Sequence, residues 1–127
     1  MPLRPILIAA ALPVAACTPA PDSRGEVRAP AVEVAGEPEN CIQTSRIRRT
    51  RVHDDYTIDF EMTGGQVYRN TLPLRCPGLG FEERFSHSTT TGSLCGVDTI
   101  TVLYTDRGRG ASCGLGRFVP VRYVDAD

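Results

Sequence analysis

The chain predicts a mainly β fold: one small antiparallel sheet of five to seven strands, closed into a barrel or folded into a sandwich and stapled by disulfides. Three observations carry that expectation. Tyr56, Ile58, Phe60 and Met62 alternate with Thr57, Asp59, Glu61 and Thr63, the period-two pattern of a strand with one face buried and one in water. Gly, Pro, Asp and Thr clusters punctuate the sequence at short intervals, as hairpin turns require. Four cysteines, 41, 76, 95 and 113, fall within the last 87 of 127 residues, a size at which one core forms and gains much from covalent closure. An N-terminal signal helix and a disordered linker precede this part.

The elements follow in order. Thr44 to His53 is rich in Thr, Val, Ile and Arg and forms a first strand, and Asp54-Asp55 tolerates the turn into the next. Residues 56–63 are the second strand. Gly64-Gly65 is a favoured two-residue hairpin turn, leading into Gln66 to Leu74, where Tyr68, Leu72 and Leu74 share a face. Phe81 to Ser88 is read as a strand, although Phe81 and Phe85 at i and i+4 also permit a helical turn or two. Val97 to Thr105 resumes alternation. Asp106 to Gly110 turns, and Arg117 to Tyr123 is a last strand whose Pro120 suits an edge or a bulge.

The N-terminal 40 residues have a different character. Arg4 supplies a positive charge, and Ile6 to Ala16 an apolar run of eleven residues. As a helix that run spans about 16 Å against a hydrocarbon core of about 30 Å, so it is a signal and not a membrane anchor. Residues 18–40 contain prolines at 19, 21, 30 and 38, no aromatic side chain, and two Arg against five acids. That composition is a spacer without a core of its own. The division is therefore signal 1–16, tethering linker 17–40 and β domain 41–127.

Leu12-Pro13-Val14-Ala15-Ala16-Cys17 resembles the lipobox of a bacterial lipoprotein, which implies a diacylated or triacylated Cys17 and a place in the cell envelope. A plain secretory signal cut near Ala16 is the alternative. Parity favours the lipid, because removing Cys17 from five cysteines leaves an even four for two bridges in an oxidising compartment. Thr18 stands where an Asp, by analogy with enteric bacteria, would retain the protein at the inner membrane, so the periplasmic leaflet of the outer membrane is the expected destination.

Four cysteines permit three pairings, and sequence does not choose among them. Closing the 76–95 segment would constrain the stretch with the weakest pattern, so Cys76 with Cys95 and Cys41 with Cys113 is the pairing expected. Zinc fits poorly, since there is no C-x-x-C and the spacings are 35, 19 and 18. No metal or other cofactor is called for.

Few residues point to chemistry. His53-Asp54-Asp55 places an imidazole beside two carboxylates in a turn, where such groups are commonly solvated. Ser86-His87-Ser88 sets a histidine between hydroxyls, yet strand neighbours face opposite ways and do not pair as nucleophile and base. No catalytic residue is assigned, and a small envelope hydrolase or isomerase using His53 or His87 is the competing reading. Arg49 and Arg51 share a strand face. Paired across strands with Asp59 or Glu61 they are structural; unpaired, they are the best surface for an acidic partner such as a lipid phosphate or a peptidoglycan carboxylate. The segment 41–127 holds 11 Arg and 10 acids, a balance that gives no footprint for nucleic acid. Cys76-Pro77-Gly78-Leu79-Gly80-Phe81 and Cys113-Gly114-Leu115-Gly116-Arg117-Phe118 are alike. They are read as two tight turns beside a disulfide with Leu and Phe in the core, or as two backbone-exposing loops around a ligand.

Together the lipobox, the Pro-rich tether and the motifs Cys41-Ile42, Cys76-Pro77-Gly78-Leu79, Leu94-Cys95 and Cys113-Gly114-Leu115-Gly116 resemble a family of small uncharacterised alphaproteobacterial lipoproteins with four cysteines. The resemblance implies a compartment and a fold and transfers no activity. The gross design is also similar to lipoprotein inhibitors of lysozyme, small disulfide-bonded β-barrels, but none of their motif residues carries over. The expected function is a lipid-anchored, non-enzymatic binding or structural module of the envelope. Its partners would be the membrane, through the lipid, and an envelope protein or glycan.

Overall fold

The computed structural model describes residues 28–124, together with residues 2, 3, 5 and 8–13. Residues 8–13 adopt no regular secondary structure, so the expected signal helix is not seen there; Cys17 and the rest of the lipobox from Val14 lie outside the described residues.

The fold is mainly β and wholly antiparallel. Among the described residues ten strands, β1 (Val32–Val34), β2 (Cys41–Gln43), β3 (Ile47–Val52), β4 (Thr57–Met62), β5 (Val67–Thr71), β6 (Phe85–His87), β7 (Ser93–Cys95), β8 (Thr99–Tyr104), β9 (Gly108–Gly114) and β10 (Phe118–Tyr123), are joined by loops, a 3-10 turn at Thr44–Arg46 and a short helix α1 (Leu79–Glu82). They form a five-stranded sheet in the order β1-β10-β5-β4-β3, a three-stranded sheet β6-β8-β9 and a ribbon β2-β7. The sheets pack as in a sandwich around a core of Ile42, Ile58, Phe60, Leu72, Leu79, Leu94, Ile100, Val102 and Phe118, each at most 4% exposed. Phe60 meets the edges of Phe118 and Phe85 at ring centroid distances of 5.5 and 6.3 Å, the edge-to-face arrangement aromatic quadrupoles favour.

The hairpin β4–β5 forms where the alternation places it, in the register Asp59 opposite Arg69 and Phe60 opposite Tyr68. The Met62 N–H donates to the Gln66 carbonyl at 2.8 Å, so the loop is the three residues 63–65, with Gly64 and Gly65 at φ of 98° and 90°. Leu74 lies past the end of β5 and is exposed, as is Phe81. Around Phe81 both readings hold in part, since α1 occupies 79–82 and β6 begins at Phe85.

The linker boundary is corrected. Val32–Val34 pairs with β10, the Val124 N–H donates to the Ala31 carbonyl at 3.2 Å, and Glu39 and Phe118 exchange two hydrogen bonds at 2.8 Å. Residues 28–40 therefore form a strap belonging to the domain. Their polar, Pro-rich composition conceals this because an edge strand is stabilised by backbone pairing and needs little apolar surface of its own. Pro120 is also corrected from edge to interior, for β10 has a partner on each side. The Pro120 carbonyl accepts from the Ala35 N–H at 2.8 Å, but its nitrogen has nothing to return. The β1 ladder stops there, the chain loops out at Gly36-Glu37-Pro38, and pairing resumes at Glu39.

The bridges join Cys41 to Cys95 and Cys76 to Cys113, correcting the expected Cys76–Cys95 and Cys41–Cys113. Sheet register decides the pairing and loop length does not. Cys41 on β2 lies directly opposite Cys95 on β7, Cα atoms 4.0 Å apart. Cys76 is brought to β9 by the turn that carries Leu79 into the core. The second bridge thus links the two Cys…Gly-Leu-Gly segments, whose likeness in sequence was a pairing signal. Leu79 and Leu115 are buried as core plugs, Phe118 likewise, whereas Phe81 is not.

Candidate functional site

The face of β4 expected to meet water is instead the most elaborate polar site. Asp59 is fully buried, on the outer face of the five-stranded sheet one strand in from the β3 edge. Its register partners Arg51 on β3 and Arg69 on β5, together with Tyr123 at the end of β10, share that face. Arg69 grips the carboxylate with two bonds, Nε to Oδ1 at 2.8 Å and Nη2 to Oδ2 at 3.0 Å. Oδ2 also accepts from the Tyr123 hydroxyl at 2.7 Å and from His53 Nε2 at 2.7 Å. An ionised carboxylate only accepts, so Nε2 is the protonated nitrogen of His53.

The electrostatics follow from this geometry. Burial alone pushes Asp59 up, but the hydrogen bonds from Arg69, Tyr123 and His53 and the charge of Arg69 outweigh it, leaving the carboxyl below the usual range. Tyr123 is pushed up to about 12, first by burial and then by its bond to Asp59. All four groups are thereby occupied with one another. Arg69 spends its remaining Nη1 on the Pro30 carbonyl at 2.9 Å, tying the strap across the sheet beside a groove of about 500 Å³ lined by residues 29–32, Tyr56, Thr57, Arg69 and Thr71.

The turn residues are latches and are not solvated. Asp54, 1% exposed, accepts the Tyr56 N–H with Oδ1 and the Arg28 N–H with Oδ2, both at 2.8 Å. Asp55 accepts the Gly80 N–H at 2.8 Å and pairs with Arg75 at 2.9 Å. A Cβ at Gly80 would lie 3.0 Å from the Asp54 backbone, which is why α1 carries glycine there. Asn70 clamps the other Gly-Leu-Gly segment, its amide donating to the Gly116 carbonyl and accepting the Gly116 N–H, both at 2.8 Å. The two segments hold the fold together, and Leu115 and Gly116 of the second also line a groove beside the Cys41–Cys95 bridge.

Arg49 and Arg51 both reach Glu61, at 3.0 and 2.9 Å, so the cross-strand reading holds and an unpaired pair of guanidiniums is not present. His53, just past the end of β3, is brought to Asp59 on β4, which the sequence reading missed because the two are six residues apart with a turn between them. The register of β3 against β4 was the signal. His87 goes elsewhere. It sits on β6 opposite Ile100, exposed, beside a polar concavity of about 350 Å³ whose lining residues are Ser86, His87, Ser88, Thr99, Thr101 and Arg109. An apolar groove of about 620 Å³ lies by the Cys41–Cys95 bridge, with Pro73, Val97, Leu115 and Arg117 in its wall. Among the described residues no three His, Cys, Asp or Glu side chains gather as a metal site, and no helix is long and apolar enough to cross a membrane. No family model, no curated protein and no solved structure matches the chain.

Proposed function

We propose that the chain is a lipoprotein of the bacterial envelope, tethered through Cys17 and facing the periplasm from the outer membrane, whose β domain is a non-enzymatic binding module. The observation that carries the second half is a separation. His53 has an orienting carboxylate at 2.7 Å, but its own side chain is only 16% exposed and lines none of the grooves described above, whereas His87 borders a concavity with no acidic side chain in its lining. A histidine general base needs orienting partner and substrate access at one place. Support for the first half is that the four cysteines from 41 onward pair with one another, which leaves Cys17 as the odd one. Only ten residues separate Cys17 from Arg28, so the domain sits within roughly 40 Å of its anchor.

The test is metabolic labelling with palmitate and membrane fractionation of the full chain beside Cys17→Ser, followed by crosslinking in intact envelopes. The wild type should carry label and sediment with membranes, and Cys17→Ser should do neither. Label retained by Cys17→Ser overturns the anchor; absence of any crosslinked envelope component overturns the binding module. The hydrolase or isomerase reading has one observation in its favour, the His53–Asp59 contact, and predicts that His53→Gln abolishes an activity while leaving the crosslinks intact.

A further inference from the structure

The outer face of the three-stranded sheet is unlike the rest of the surface. Cross-strand register sets Ser86, Thr101 and Ser112 in one row, Thr99 beside Gly114 in the next, and Leu103 beside Arg109 on the other side. Ser88, one step beyond His87, returns to the same face by alternation. Arg84, opposite Leu103, shares this face farther along, but within the concavity itself the hydroxyls and His87 are joined by Arg109 alone among guanidiniums, and no Asp or Glu is in its lining. Solvated strand faces ordinarily mix charges of both signs, as the Arg49, Arg51 and Glu61 cluster of the other sheet does.

Three further details make this face a receptive surface. Arg109 makes no ion pair with any carboxylate among the described residues, a state it shares with Arg46, Arg48 and Arg84 among others, but of these it is the one that lines the concavity. The Thr101 and Ser112 hydroxyls lie 2.9 Å apart, so each orients the other while its remaining valences face out. A Cβ added at Gly114 would meet nothing within 4 Å, so the floor beside Thr99 is open. A volume of about 350 Å³ is at the small end of ligand sites and leaves room for a sugar ring. No aromatic platform is offered for stacking, since Tyr104, the nearest tyrosine on β8, carries Arg107 over its ring at 4.6 Å.

Resting on the binding-module reading above, we propose that the β6–β8–β9 face binds one acidic sugar unit, a carboxylate or phosphate borne on a hydroxyl-rich ring. Arg109 takes the anionic oxygens through its fork of donors. Ser86, Ser88, Thr99 and Thr101, able both to donate and to accept, take the ring hydroxyls. Glycans and sugar-containing lipid headgroups share this chemistry, and the guanidinium rather than ring stacking sets the selectivity.

The test is an NMR titration of the disulfide-intact protein with glucuronic acid, glucose 6-phosphate, glucose and inorganic phosphate. The acidic sugars should shift the amides of 86–88, 99–101 and 109, and glucose should bind roughly tenfold or more weakly, as loss of a charge-assisted pair predicts. Arg109→Gln should lose the acidic sugars by a similar factor with an unchanged melting temperature, and Thr101→Val should weaken them. Arg107→Gln should bind as the wild type does. Equal loss in Arg107→Gln would show only diffuse charge and overturn the site; inorganic phosphate binding as tightly as glucose 6-phosphate would overturn the sugar. If no acidic sugar binds but envelope crosslinks persist unchanged in Arg109→Gln, this site fails and the module reading stands.

Discussion

At the scale of the residue, Asp59 governs the outer face of the large sheet. Asp59→Asn leaves the Arg69 guanidinium facing a neutral amide in a buried place, a loss of about 3 kcal/mol by the usual cost of breaking such a pair. Denaturant unfolding of the two proteins at neutral pH measures it, and an unchanged midpoint would refute the role. The pH dependence has a defined sign. Asp59's folded pKa lies below its unfolded value of about 4, so its contribution is complete above that value and disappears as pH falls through the folded one. Tyr123, raised to about 12, contributes fully below its unfolded value of about 10 and loses its share as pH rises from there toward 12. Unfolding curves from pH 2 to 5 should be flatter for Asp59→Asn than for the wild type. Asn70→Ala is expected to cost about 2 kcal/mol or more, because it strands the Gly116 N–H and carbonyl without partners.

At the scale of the element, alternation was readable and pairing order was not. The β4–β5 hairpin and β8 are where their sequences place them, since period two and a glycine turn are local signals. Strands β1, β2 and β7 are three residues each, too short for any periodicity, and β9 carries Gly, Arg, Ala and Ser in place of β-branched side chains. Those four are made by their neighbours. The same reason hides Asp59: its pattern is that of a solvated residue, and only the arrival of Arg69, His53, Tyr123 and the strap makes the position buried. The strap itself is testable. A chain beginning at residue 28 should melt with the full-length protein, whereas one beginning at Cys41 loses β1, the Arg28–Asp54 and Arg69–Pro30 bonds and the cover over Val121. Its melting temperature should fall by several degrees. Equal melting of the two would return 28–40 to the status of a spacer.

At the scale of the whole molecule, two bridges unite three small sheets. The first fastens β2 to β7 within one ribbon, and the second ties α1 and the Gly-Leu-Gly turn to β9. With separations of 54 and 37 residues, each removes unfolded-chain freedom worth about 4 kcal/mol in the chain-entropy description. For a domain of this size that is comparable with its whole stability. Cys76→Ser with Cys113→Ser should therefore unfold under conditions where the wild type persists, and peptide mapping without reductant should recover Cys41 with Cys95. Recovery of Cys76 with Cys95 would refute the pairing. A reducing environment would break both bridges and leave the domain marginal.

The strap gives the domain a defined route for mechanical load. A pull from the N-terminal side enters at Arg28 and meets, in succession, the Asp54 carboxylate, the Arg69 bond at Pro30, the Ala31–Val124 bond and the rungs of β1. The ladder gap opposite Pro120 then separates that short zipper from the Glu39–Phe118 bridge. Peeling as far as Ala35 frees several residues while both disulfides and the core stay intact. The first response to tension is thus a small, reversible extension, with a force step ahead of global unfolding in a single-molecule pulling trace.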